Sequence, residues 1–103
     1  MEKPKKKTEA GLHDGHKQRL RNKFLQSGNL DNFNEHEILE MLLSYSLVRK
    51  DTNAIAHELI NKFGSLSGVL EAMPEELETV KYVKERTTTL LKMQYELVRA
   101  YTA

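Results

Sequence analysis

A chain of 103 residues is the size of one small domain. Apolar residues make up 39% and charged residues 30%, which supports a modest core and excludes a fully disordered chain. There is no Cys, so disulfides, Cys-based zinc sites and thiol catalysis are excluded. The net charge of +1 is a cancellation: residues 1–27 carry +5, residues 28–80 carry −7 and residues 81–103 carry +3. The most apolar run, residues 38–48, contains Glu40 and falls well short of the ~20 residues a membrane span needs. The opening Met-Glu-Lys-Pro-Lys-Lys-Lys leads into polar residues and not into an apolar segment, so no secretory signal and a cytoplasmic location are expected.

Residues 1–12, with Lys3, Lys5, Lys6 and Lys7, read as a disordered basic arm. From Gly15 the spacing of His16, Leu20, Phe24 and Leu25 predicts a helix, with Gly28 as its stop. Asp31, Asn32 and Asn34 offer capping oxygens for a second helix through about Leu47, apolar on so many sides that it should be the central element. Asp51 caps a third helix carrying Ile55, Ala56, Leu59, Ile60 and Phe63, and Gly64 ends it in a left-handed conformation. Ser65 caps a short fourth helix with Leu66, Val69 and Leu70. Pro74 opens a fifth through Leu77. A last helix over residues 85–101 carries Leu90, Leu91, Leu97, Val98 and Tyr101, the tyrosine expected at the core or its edge. No alternating strand pattern of useful length occurs, so the fold class is all-α: a compact bundle of five or six short helices.

The same segments, in order, resemble the N-terminal domain of the RadC (UPF0758) family. Gly15-His16-Lys17-Gln18-Arg19-Leu20 with Phe24-Leu25 looks like that domain's opening block. Glu37-Ile38-Leu39-Glu40-Met41-Leu42-Leu43 and Arg49-Lys50-Asp51 resemble its next, and Phe63-Gly64-Ser65-Leu66-Ser67-Gly68-Val69-Leu70-Glu71-Ala72 its third. The resemblance spans residues 13–101 and makes 13–103 one helical domain, helix-hairpin-helix-like in its C-terminal half. It implies a DNA-binding module of a DNA-repair-associated family that also carries a C-terminal JAB/MPN domain resembling metalloproteases. The His-x-His pair such a domain would use for zinc does not occur here. No nucleophile, cofactor loop or convergent ligand set is legible either, so no catalysis, metal, cofactor or small-molecule substrate is expected. His13 and His16 lack a completed ligand set, and His36 and His57 read as lone and exposed.

A helix-hairpin-helix turn uses Gly-hydrophobic-Gly so that backbone amides can approach a phosphate. The matching stretch here is Val80-Lys81-Tyr82-Val83-Lys84-Glu85-Arg86. Tyr82 and Lys84 stand where glycines belong, which should disfavour a positive-φ turn and close approach. Side-chain contacts from Lys81, Lys84 and Arg86, with Tyr82 stacking on bases, would replace it. On the first helix Lys17, Arg19, Arg21 and Lys23 are the further DNA-binding candidates, with Arg19 also expected to pair with Glu37 or Glu40. Arg49 and Asp51 read as a helix-end ion pair and cap. Two functions follow as expectations: weak, sequence-independent binding of duplex or branched DNA that falls when residues 1–12 are removed, or a protein-interaction or self-association module.

Overall fold

Where short polar side chains stand ahead of apolar runs, helices begin. The computed structural model describes residues 9–103, with side chains from Asp14 onward. It contains α1 (Glu9–Ser27), α2 (Glu35–Leu43), α3 (Thr52–Phe63), α4 (Leu66–Glu71), α5 (Pro74–Leu77) and α6 (Glu85–Thr102), and no strand among the described residues. Helix α1 opens at Glu9, so residues 9–12, expected in the arm, are helical. Residues 1–8, with the four arm lysines, lie outside the described residues.

The starts of α2 to α5 have local causes. Asn34 is the N-cap of α2, and its backbone N–H donates to Glu37 Oε1 at 2.9 Å. Asp51 accepts from Ala54 N at 3.2 Å, and Ser65 Oγ accepts from Gly68 N at 3.0 Å. Pro74 sits in the first turn of α5 with Glu75 and Glu76. Helix α3 stops at Gly64, whose φ of +90° is open to glycine at little cost. Gly68 is required for a different reason: a Cβ there would collide with the Phe63 carbonyl, so the α3–α4 corner closes only on a bare backbone.

Leu39 and Leu43 of α2, Ile55, Ala56 and Leu59 of α3, Val69 of α4, Leu77 of α5, Val80, Val83, and Leu91 of α6 form one continuous core. Helix α2 sits centrally, packed chiefly on α3 and also against α1 and α4. It is shorter than expected, because Leu43 is followed by turns through Ser46. At the far end α6 departs from the reading of its stripe. Leu91 is buried, but Leu97 and Val98 are more than half exposed and Tyr101 is 89% exposed, not at the core.

Candidate functional site

The first block of the sequence is a clamp on α1. Lys17 is 3% exposed and donates to Leu47 O at 3.0 Å and Val48 O at 2.7 Å. Those carbonyls belong to the connection between α2 and α3, so the amine ties α1 to that loop. Burial pushes the Lys17 pKa down from the ordinary lysine value, with neighbouring carboxylates acting the other way. A buried, doubly engaged amine is not a phosphate contact, and Lys17 leaves the candidate set.

At the preceding residue, His16 Nε2 lies 2.5 Å from Oε2 of Glu40, which is buried in α2. Glu40 Oε1 accepts from Asn53 Nδ2 of α3 at 2.8 Å. Arg19 Nη2 lies 3.0 Å from His16 Nδ1. Arginine only donates, so Nδ1 accepts and the ring proton sits on Nε2, facing the carboxylate. The expected direct pair of Arg19 with Glu37 or Glu40 is therefore corrected: the imidazole stands between Arg19 and Glu40.

Glu37 instead meets Lys23, at 3.7 Å. Lys23 also donates to Asn32 O at 2.7 Å and covers the Phe33 ring at 4.4 Å. Arg21 donates to Gln18 Oε1 at 3.0 Å. The α1 cations are thus largely engaged within α1 and its own loop. His36 and His57 are not lone: their rings stack at 4.4 Å between α2 and α3. Asp51 is a cap, as expected.

The Asn34 N–H holds the Glu37 carboxyl below the usual carboxylate range, with Lys23 adding to the effect and burial opposing it. A depressed carboxylate contributes stability above its unfolded pKa and loses it as pH falls through the folded value. Glu37→Gln keeps an acceptor for the Asn34 N–H but loses the charge, so it is expected to lower stability by at most about 1 kcal/mol at neutral pH, and the deficit should vanish at the acid end. Urea unfolding of both proteins across pH checks this; a pH-independent difference would contradict it.

The second cluster lies between α5 and α6. Tyr82 adopts φ +73°, the only non-glycine residue among those described with a positive φ. The expectation that Tyr82 would disfavour such a turn is corrected: the turn forms in spite of the side chain. A left-handed non-glycine residue costs ~1–2 kcal/mol. Lys50 Nζ lies 4.1 Å above the Tyr82 ring centroid and Lys81 Nζ 5.1 Å from it, offsetting part of that cost. The ring is 40% exposed. Lys50 was missed as a site residue, because its nearness to Tyr82 arises from the loop that Lys17 holds.

Immediately after the turn, α6 begins. Its N-cap is Lys84, whose side chain has no oxygen to offer, and Thr88 N is the first to bond back, to the Lys84 carbonyl at 2.8 Å. The leading amides of α6 therefore have no partner within the helix. Two cations, Lys84 and Arg86, stand at the positive end of the helix dipole, opposed locally only by Glu85. Ser46 Oγ and Thr87 Oγ1 are 2.9 Å apart and dock this start on the α2–α3 connection. Beside them lies an open cleft of about 330 Å³ whose walls include Ser46, Tyr82, Lys84, Arg86 and Thr87 and also the carboxylate residue Glu85. Lys81, Tyr82, Lys84 and Arg86 are thus brought together with Lys50, while Arg19, Arg21 and Lys23 stay on α1.

The fold and this cluster define a small all-α module with a cationic turn at the start of its last long helix. Over 85 residues, 82% of the chain, it is 46% identical to a UPF0758 protein of Fusobacterium nucleatum, of which those residues cover 36%. Over 78 residues, 76% of the chain, it is 37% identical to a UPF0758 protein of Ruegeria pomeroyi, of which they cover 34%. The chain belongs to the UPF0758 family and spans about a third of the length of these relatives. No family model matches it, and no solved structure matches it. No described helix is long and apolar enough to cross a membrane.

Proposed function

We propose that this chain is a non-catalytic DNA-binding module of a UPF0758 protein, acting in the cytoplasm and gripping the phosphate backbone without reading sequence. A DNA-repair role for the whole protein is part of the same proposal. The observation that carries it is the left-handed turn at Tyr82 directly ahead of a helix that starts on Lys84 with free amides. Oriented N–H groups, the helix dipole and side-chain cations converge there, and an anion is what all three lack. Lys50, Lys81, Lys84 and Arg86 supply the charge. The acidic middle of the chain confines any contact to this end.

Fluorescence anisotropy with duplex and four-way-junction DNA, across a salt series, tests the reading. Neutralising three to four phosphates gives a slope of log affinity against log salt of about −3. Removal of residues 1–8 is expected to weaken binding without abolishing it. Complete loss on that truncation, or no binding at low salt, would overturn the proposal.

Tyr82→Gly sharpens the test. Glycine relieves the positive-φ cost, so stability should rise by about 1 kcal/mol. Losing the ring opens the amides to phosphate, so affinity should rise several-fold. Weaker binding in the same titration would mean that the ring stacks on a base.

A further inference from the structure

We infer that the apolar groove between α2, α4 and the C-terminal half of α6 seats the remainder of a UPF0758 chain, the two-thirds of the family's length that lies outside this module. The inference rests on family membership and is independent of the DNA reading.

The groove is a cavity of about 320 Å³, and Leu42, Tyr45, Leu66, Leu70, Leu97 and Val98 are among its walls. Gln94 is its polar wall residue. Met93 and Tyr101 of α6 are also exposed, and Met93 shares a neighbouring cleft with the groove residue Tyr45. Contiguous exposed apolar surface of this kind marks an interaction site and not ordinary scatter. The charges beside it are already matched, because Arg99 Nη1 and Glu96 Oε2 pair at 3.1 Å. A partner here needs an apolar face and no particular charge.

The shape of the patch selects the occupant. At ~100° per residue, Met93, Leu97, Leu90, Tyr101 and Val98 span an arc of about 140° on α6. A two-helix seam is narrower than this, whereas a helix buried against the body of a domain shows a stripe of at least ~100°. A single helix of a second copy would leave half the arc wet. The relatives supply a body of the right size: the matched 85 residues are only 36% of the Fusobacterium protein. That leaves enough chain for a separate folded unit. The last turns of α6 also have little tertiary support of their own, and an unsupported helix end is marginal in water. Val98 lies ~21 Å along the helix from Lys84, so an occupied groove leaves the cationic turn free.

The test joins the two parts. Isotope-labelled chain is titrated with the separately produced remainder of the Fusobacterium relative. Resonances of Met41, Leu42, Tyr45, Leu70, Leu97 and Val98 are expected to shift together. Leu97→Asp, at an exposed position, should weaken this at least tenfold, and Met73→Asp, exposed but outside the groove, should leave it unchanged. In case the separate remainder does not fold, this chain also replaces the matched segment within the relative. Amide exchange over residues 38–45 should then be at least tenfold slower than in the chain alone, and the protection should be lost with Leu97→Asp. Unchanged exchange in that fusion overturns the inference. So does a concentration-dependent dimer of the chain alone that Leu97→Asp abolishes, since the occupant would then be a second copy.

Discussion

Glu40→Ala is expected to lower unfolding free energy by about 3 kcal/mol, the low end of what a core cavity and stranded polar partners cost together. The carboxylate is buried at the junction of three helices, taking Asn53 Nδ2 from α3 and facing His16 Nε2 from α1. Removing it leaves the half-buried Asn53 amide and the His16 N–H facing a void, each a donor without its acceptor. His16 is partly open to solvent, which is why the low end applies. For a domain of this size the midpoint of thermal unfolding should fall by roughly 12–20 °C. Glu40→Gln keeps the shape and the acceptor for Asn53, so it should lose about half as much. Arg19→Ala should lose under about 1 kcal/mol, because the exposed guanidinium touches only the far ring nitrogen. A double-mutant cycle between Glu40→Ala and His16→Ala should return a coupling of at least about 1 kcal/mol. Strict additivity, or a larger loss at Arg19 than at His16, would show that the imidazole is not the bridge.

The largest functional effect is expected from reversing two charges at the turn, Lys50→Glu with Lys84→Glu. Both side chains are exposed, so stability should change by less than about 1 kcal/mol, mainly through loss of the Lys50–Tyr82 contact. The change places two carboxylates beside the amides of α6, where phosphate is proposed to sit. Affinity for duplex DNA in low salt should fall at least thirtyfold, and the salt slope should become shallower by about 2. The matching reversal on α1, Arg19→Glu with Arg21→Glu, should cost only a few-fold, since those guanidinium groups are engaged by His16 and Gln18 of their own helix. Equal losses from the two pairs, read by anisotropy at matched salt, would move the interface onto α1.

Local chemistry made much of this molecule legible in advance. Asp51, Gly64, Ser65 and Pro74 act within a few residues of themselves, so the starts and stops of α3, α4 and α5 follow from the chain alone. The all-α class, the buried stripe of α3 and the family resemblance were legible for the same reason: periodicity and short motifs are properties of neighbouring residues. The candidate site was only half legible. Lys81, Tyr82, Lys84 and Arg86 are close in sequence and stay close in space. Lys50 joins them from over thirty residues away, through a loop held by Lys17.

What the sequence by itself determined is therefore the set of helices, their caps and the charges that each carries. The tertiary structure alone decided that Lys17 is a buried strut, that His16 stands between Arg19 and Glu40, and that Tyr82 takes a backbone conformation its own side chain disfavours. It also decided that the stripe on the last turns of α6 faces outward. The reason is physical. A helix's apolar face is written in its own residues, but what covers that face, and which long side chain reaches which carbonyl, depends on elements far apart in the chain.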